Sequence, residues 1–134
     1  SHIERGLFIH ATESADAAFA LLDEIDMVVT EWAPGARLAA FLNVENLPEH
    51  DALEEALLAL GEDVRCEWRG CVSVVGQGIG GVAKWVRLAH ESLAAFAPEL
   101  LSVHPARLSF VIASDATQRA ASLLHTALCV EPGS

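Results

Sequence analysis

The hydrophobic and polar positions of this chain repeat one order of predicted elements twice. Stretches rich in β-branched and aromatic residues predict strands, and apolar residues three or four positions apart predict helices. In the first half, strands are predicted at residues 6–12, 27–32, 37–44 and 64–68, and helices at 15–25 and from Pro48 to about 60. In the second half, strands are predicted at 71–75, 100–104 and 107–113, and helices at 82–96 and 115–128.

Local signals set the expected ends of these elements. Ser14 is a plausible N-cap for the first helix, and Gly61 is expected to end the second. Pro34-Gly35 predicts a tight turn that joins two antiparallel strands. Asp115 with Gln118 resembles a capping box at the start of the last helix.

The repeat of roughly 65 residues predicts two copies of one small module. Arg5-Gly6 recurs as Arg69-Gly70, and Arg37-Leu38 as Arg107-Leu108, so the modules are placed at residues 5–68 and 69–130. The element order predicts an α+β fold, with antiparallel sheets that carry helices on one face. Because modules this small are marginal alone, we expect them to pack against each other or against another chain. The opposite sheet face is expected to be free to pair with another copy.

Composition narrows the classes of partner. The chain has 134 residues, a hydrophobic content of 52% and a mean hydropathy of +0.35, which predicts apolar surface that a partner covers. The net charge of −11 argues against nucleic acid as a partner. No apolar run has membrane-spanning length, and the N-terminal residues lack a secretion pattern. Three cysteines in no disulfide pattern agree with a cytoplasmic location.

Three stretches carry a resemblance to a known family. Residues 71–84 read Cys-Val-Ser-Val-Val-Gly-Gln-Gly-Ile-Gly-Gly-Val-Ala-Lys, residues 108–112 read Leu-Ser-Phe-Val-Ile, and residues 26–28 read Asp-Met-Val. Together with the helix at 115–128, they resemble the tandem ACT-domain regulatory region of aspartate kinase. The resemblance covers about residues 5–130 and is closer to the lysine-sensitive type.

This resemblance implies two ferredoxin-like βαββαβ modules and a homodimer formed through them. It implies a feedback effector, L-lysine or L-threonine, bound between modules and controlling the kinase. The chain itself is then not an enzyme and has neither catalytic residues nor a cofactor. The kinase domain, with its ATP and Mg²⁺, belongs to the parent chain.

The predicted effector site lies in the first module. The Asp26 carboxylate is positioned to take an amino acid's ammonium group, while backbone N–H groups near Ser14 and Ala15 take its carboxylate. The competing interpretation makes Asp26 a solvated turn acid beside Asp23 and Glu24. The complete set of predicted effector-binding residues is Ser14, Ala15, Asp26, Met27, Thr30 and Glu31.

Other interpretations stay open at this point. The loop at residues 11–14 lacks the glycine usual in the family, which favours an ACT pair that has lost its ligand and serves only assembly. In either case, a parent chain that is a bifunctional enzyme of lysine synthesis stays an open alternative.

A further alternative is an unrelated small-metabolite enzyme. Gly76-x-Gly78-x-x-Gly81 has dinucleotide-binding spacing, but the acid expected after the next strand is missing. The histidines and cysteines show no metal-ligand spacing, so no metal is expected. Three tryptophans are candidates for interface anchors or for the core: Trp32, Trp68 and Trp85.

Overall fold

The computed structural model describes residues 2–43 and 49–128. The strands are β1 (His2–Ala11), β2 (Val29–Ala33), β3 (Arg37–Asn43), β4 (Arg65–Val75), β5 (Leu100–His104) and β6 (Arg107–Ile112). The helices are α1 (Ala15–Leu21), α2 (His50–Leu58), α3 (Ala83–Leu93) and α4 (Thr117–Ala127), with 3-10 turns at Ala94–Phe96 and Ser114–Ala116. The order strand, helix, strand, strand, helix is confirmed in both halves. The predicted helix start at Pro48 and strand end at Val44 lie outside the described residues.

The chain forms two compact units. We call Arg5–Arg69 the N-terminal unit, and the described residues of Ser1–Glu4 and Gly70–Ser134 the C-terminal unit. The division therefore falls inside β1 and inside β4, so both strands contribute residues to both units. Each unit combines antiparallel strands with helices, which confirms the predicted α+β class.

The N-terminal unit places β3 between β2 and β1, with both pairings antiparallel. Leu7 pairs with Leu42 and Ile9 with Ala40, and because strand side chains alternate, these residues share one face. Helix α1 packs against β3 on that face. The buried core there consists of Leu7, Ile9, Ala11, Ala15, Ala18, Leu22, Leu38, Ala40, Leu42, Leu57 and Val64.

The C-terminal unit repeats this arrangement with β6 between β4 and β5. Val72 pairs with Phe110 and Val74 with Leu108, and these side chains face α3 and α4. The helical spacing of the segment predicted at 115–128 places four residues on one face, and all four are buried: Ala116, Ala120, Leu124 and Leu128. Trp85 is half-buried against this core.

The sequence analysis expected the sheet faces away from the helices to be free, and this expectation is wrong. In the N-terminal unit, Phe8 and Phe41 are paired across the strands and buried within the chain. In the C-terminal unit, the corresponding face carries Cys71, Ser73 and Ser109, which are buried as well. These face residues are therefore not exposed for pairing with another copy.

The strands predicted at 64–68 and 71–75 are one continuous strand, β4. Gly70, within this strand, allows close packing, because a Cβ there would lie 2.2 Å from the Thr117 Cγ2 atom. Helix α1 ends at Leu21 rather than near Ile25, and α2 ends at Leu58, before Gly61. Turns replace the predicted last helical turns at residues 22–25 and 59–60.

Two predicted helix starts in the C-terminal unit are also wrong. Val82 precedes α3 in an extended conformation and is 48% exposed, so it does not share the buried face. Before α4, Asp115 lies in a 3-10 turn, and no side-chain capping hydrogen bond is formed. The turn itself supplies the transition from β6 into the helix.

Candidate functional site

The loop between β1 and α1 is held by a carboxylate from a distant part of the same unit. Asp63 Oδ2 accepts hydrogen bonds from the backbone N–H of Ser14 at 2.7 Å and of Thr12 at 3.0 Å. The Ser14 hydroxyl donates to Asp63 Oδ1 at 2.7 Å. These hydrogen bonds to the charged form, first from the Ser14 backbone and hydroxyl, lower the Asp63 pKa from 3.8 to about 2. Asp63 therefore stays ionised at neutral pH.

The two predicted backbone donors of this loop are both engaged. Ser14 N–H bonds Asp63, and Ala15 N–H donates to the Thr12 carbonyl at 3.1 Å. The predicted N-cap is also wrong in its chemistry: the Ser14 hydroxyl makes no bond to the first turn of α1, because it is turned towards Asp63. Both donors are thus satisfied within the unit, one by Asp63 and one by the loop's own backbone.

Asp26 and Met27 lie in the connection before β2, which begins only at Val29. Asp26 is exposed, while Met27 is half-buried against the core of the unit. The sequence predicted a strand that starts at residue 27, directly after Asp26. Asp26 lies instead three residues ahead of the strand start. Its carboxylate remains accessible to a ligand.

Thr30 and Glu31 lie on β2, with exposed side chains. The Thr30 hydroxyl donates to Met27 Sδ at 3.1 Å, which brings these two predicted residues together. Glu31 is committed elsewhere, because its carboxylate accepts a hydrogen bond from the Arg37 guanidinium at 2.6 Å. Of the six predicted residues, the structure thus joins Thr30 with Met27 by a direct side-chain contact.

A cavity of about 320 Å³ lies in the same unit, against α1 and β2. Its lining residues are Asp16, Phe19, Ala20, Asp23 and Trp32. Sequence reasoning missed this group, although the signal was present: Asp16, Phe19, Ala20 and Asp23 recur at helical spacing. The contribution of Trp32 could not be predicted, because only the tertiary fold brings it next to α1.

The corresponding loop of the C-terminal unit, residues 76–82, is closed by backbone instead of a carboxylate. Gly76 N–H donates to the Ala106 carbonyl at 3.0 Å, and Gly80 N–H to the Pro105 carbonyl at 3.1 Å. A Cβ on Gly80 would lie 1.7 Å from the His104 carbonyl oxygen. The glycines therefore let this loop approach the turn between β5 and β6, which is a structural use of the spacing that resembles a dinucleotide motif.

The C-terminal unit also carries a polar cluster on its buried sheet face. Ser73 Oγ and Ser109 Oγ are 2.8 Å apart, and the Arg107 guanidinium donates to both hydroxyls at 3.1 and 3.2 Å. Cys71 lies beside them, and burial raises the pKa of its thiol to about 11. Burial likewise raises the pKa of Cys66 to about 11. Neither thiol is activated as a nucleophile.

The described residues form neither a metal-binding cluster nor a membrane-spanning helix. Within residues 2–43 and 49–128, no group of three or more His, Cys, Asp or Glu side chains is placed to hold a metal ion. Among the helices of the same part of the chain, none has both the length and the apolar character needed to cross a membrane.

Solved structures share this fold over nearly the whole chain. The regulatory subunit of aspartate kinase from Thermus flavus matches with a TM-score of 0.69 at 19% identity, covering 95% of this chain and 97% of that one. E. coli aspartokinase III in complex with aspartate and ADP matches with a TM-score of 0.72 at 14% identity, covering 96% and 33%. The same enzyme in complex with lysine and aspartate matches with a TM-score of 0.65 at 16% identity, covering 94% and 32%.

No protein-family model matches the chain, and no curated protein sequence matches it. The structural likeness defines the fold, which is the fold of aspartate kinase regulatory regions. The chain spans nearly all of a separate regulatory subunit but about a third of a full-length aspartokinase.

Proposed function

We propose that this chain is the regulatory region of an aspartate kinase and senses an end-product amino acid such as L-lysine or L-threonine. The observation that carries the proposal is the match to a regulatory subunit along 95% of this chain and 97% of that one. The resemblance of residues 71–84 to a second ACT domain supports the same assignment. The lysine-sensitive type is our preferred subtype.

The kinase itself belongs to the rest of the parent chain in this proposal. The match to about a third of E. coli aspartokinase III supports a region that accompanies a larger catalytic part. ATP and Mg²⁺ would bind there, and the region described here would work in the cytoplasm as a homodimer. A fusion to a further enzyme of lysine synthesis is compatible with the same regulatory role.

The effector is proposed to bind beside the connection into β2. The exposed Asp26 carboxylate would take the ammonium group, with Met27 and Thr30 lining the cleft. Binding of the effector's carboxylate to the Ser14 or Ala15 N–H groups requires the Asp63 and Thr12 contacts to open first. Effector binding then has to offset the loss of those hydrogen bonds.

Control of the kinase would follow from differential affinity. An effector that binds one arrangement of the dimer more tightly shifts the population towards it, and only by the ratio of the two affinities. In this proposal, the favoured arrangement holds the kinase in its less active state.

The second candidate function is assembly without an effector. Asp63 supports it, because an internal carboxylate already occupies the donors that an amino acid's carboxylate would need. In this alternative, the unit serves only to join copies of the parent kinase.

Calorimetric titration of the Asp26→Ala variant tests the proposed site. We expect the variant to lose the binding of L-lysine or L-threonine that the unchanged chain shows, since the ammonium group loses its counter-charge. Glu24→Ala is the matched control, because Glu24 is also exposed and lies two residues away. Equal affinity of the unchanged chain and Asp26→Ala would remove Asp26 from the site.

A further inference from the structure

The two units carry very different net charges. Residues 5–69, the N-terminal unit, hold 14 of the 19 acidic residues and four of the eight basic residues, which gives this unit a net charge of −10. The rest of the chain accounts for −1 of the total of −11. Surfaces of unlike potential attract and orient each other when two molecules meet. The charge distribution therefore allows an acidic surface of one copy to meet a less acidic surface of another.

The helices carry this difference on their exposed surfaces. In the described residues, α1 and α2 contain four acids and neither lysine nor arginine: Asp16, Asp51, Glu54 and Glu55. In contrast, α3 and α4 contain three basic residues and one acid: Lys84, Arg87, Arg119 and Glu91. All of these side chains are exposed except the half-buried Glu54. The helix surface of the N-terminal unit is therefore acidic, and that of the C-terminal unit is basic.

An open groove lies beside α4 on the basic surface. We call it the α4 groove; its volume is about 470 Å³, and it is lined by Phe96, Gln118, Arg119, Ser122 and Leu123. A second cavity, of about 440 Å³, shares Gln118 and Ser122 with it and extends along α4 to Thr126. None of the described residues that line either cavity is acidic. The groove can therefore receive an acidic helix without repulsion from its own walls.

The α4 groove combines an exposed apolar side chain with a positioned positive charge. Leu123 is 45% exposed, although Leu124 beside it is fully buried. Arg119 lies one turn earlier on the same face of α4, with its guanidinium carbon 5.4 Å from the centroid of the Phe96 ring. That distance permits a cation–π interaction, and Phe96 packs against the buried core of the unit. The charge is thus held next to the exposed leucine.

Helix α2 carries the complementary pattern on its outer surface. Asp51, Glu55 and Leu58 are all exposed, and their spacing of four and then three residues places them on one helix face. Leu58 is 47% exposed. An acid and a leucine one turn apart on α2 therefore match Arg119 and Leu123, one turn apart on α4.

We propose that the α4 groove of one copy of this chain binds helix α2 of a second copy, with the partner's Leu58 against Leu123 and the partner's Glu55 beside Arg119. An amphipathic helix in an apolar groove is a common mode of recognition. The two surfaces differ, so the contact is heterologous, and every copy offers both surfaces. The inference rests on the homodimer of the proposed function and names the surfaces that form it, but it does not require an effector.

Sedimentation equilibrium of the full chain tests the proposal through the Kd of self-association. Leu123→Glu should weaken self-association about tenfold or more, because it places a carboxylate in the groove opposite the acids of α2. Val82→Glu is the matched control: Val82 is 48% exposed before α3 and lines neither cavity. The control adds the same charge and should leave the Kd nearly unchanged. Added salt should weaken the association of the unchanged chain, because the charged residues are exposed.

Exchange of the charged pair gives a second test. Arg119→Glu and Glu55→Arg should each weaken self-association about tenfold, since each brings like charges together. A general effect of net charge would instead make Glu55→Arg strengthen association, because the chain becomes less negative. The chain with both changes should recover the Kd of the unchanged chain. Arg119→Glu combined with Glu24→Arg is the control, because it has the same net charge but leaves α2 acidic, and it should stay weakened.

The possible negative results have different meanings. A chain that stays monomeric at all concentrations would overturn both this contact and the proposed homodimer. A dimer that Leu123→Glu and Val82→Glu weaken equally would overturn the contact alone. The same conclusion would follow if the exchanged pair recovered no more affinity than its control. Neither of the last two results would affect the binding of an effector at Asp26.

Discussion

The two units close the same loop in two different ways. Before α1, the N-terminal unit brings in the Asp63 carboxylate, which accepts from Thr12 and Ser14. Before α3, the C-terminal unit brings Gly76 and Gly80 against carbonyls of the turn between β5 and β6. Backbone donors must be paired in both cases. One unit meets this requirement with a charge, and the other meets it with the absence of side chains.

This difference predicts different vulnerabilities. The loop of the C-terminal unit depends on close backbone approach, so it should tolerate no added side chain at Gly80. The loop of the N-terminal unit depends on the ionisation of one acid, so it should respond to pH. A ligand that opens the first loop competes with Asp63, whereas a ligand at the second would have to separate two backbone segments.

Gly80→Ala should have the largest effect. The new Cβ would lie 1.7 Å from the His104 carbonyl oxygen, so the loop or the β5–β6 turn must shift. We expect a loss of about 3 kcal/mol or more in the free energy of unfolding, measured by urea titration. Gly81→Ala is the matched control, because its Cβ would meet its nearest neighbour at an ordinary 3.6 Å. Equal stability of the two variants would contradict the packing argument.

Ser73→Ala should have the next largest effect, on the buried face of the C-terminal unit. It removes an acceptor of Arg107 and the partner of Ser109. Because these groups are buried or half-buried, we expect a loss of about 1–3 kcal/mol in the same measurement. Ser92→Ala is the control, since Ser92 only donates back to the Leu88 carbonyl on α3. A loss no larger than that of Ser92→Ala would mean that water replaces the missing hydroxyl.

Asp63→Asn should remove a pH-dependent part of the stability. The folded-state pKa of Asp63 is lowered from 3.8 to about 2, so its contribution is present above pH 3.8 and is lost as the pH falls through about 2. Urea midpoints should therefore be lower for the variant at pH 7 and converge with those of the unchanged chain between about pH 4 and 2. Asp115→Asn, an exposed acid of the other unit, should not show this convergence. A constant gap across that range would refute the role of Asp63.

Ser14→Ala should have the smallest effect of the four. It removes the hydroxyl bond to Asp63 Oδ1 but keeps the backbone bond from Ser14 N–H to Oδ2. We expect a smaller decrease in the urea midpoint than for Asp63→Asn. If Ser14→Ala were the more damaging change, the hydroxyl rather than the carboxylate would organise the loop.

Much of the fold follows from local pattern. The hairpin of β5 and β6 agrees with prediction to within one residue, because alternating strands and a proline turn are local signals. The buried stripe of α4 follows from helical spacing in the same way. The continuity of β4 was not predicted, since the repeat places the start of the second module at Arg69, inside this strand. Only the closeness of α4, through Thr117, explains a glycine within that strand.

The candidate site was less predictable because it depends on contacts between distant residues. Asp63 lies 49 residues after Ser14, and no local pattern links the two. Trp32 lies 16 residues after Asp16, and only the packing of α1 near the end of β2 brings them together. The predicted role of Asp26 as a ligand of the effector's ammonium group stays a prediction.

Calorimetric titration of the unchanged chain with L-lysine and then L-threonine, together with its mass in solution, tests the proposed function most directly. The account predicts saturable binding of one of these amino acids by a dimer. A dimer that binds neither would contradict amino-acid sensing and favour assembly, with Asp63 permanently occupying the donors of the loop.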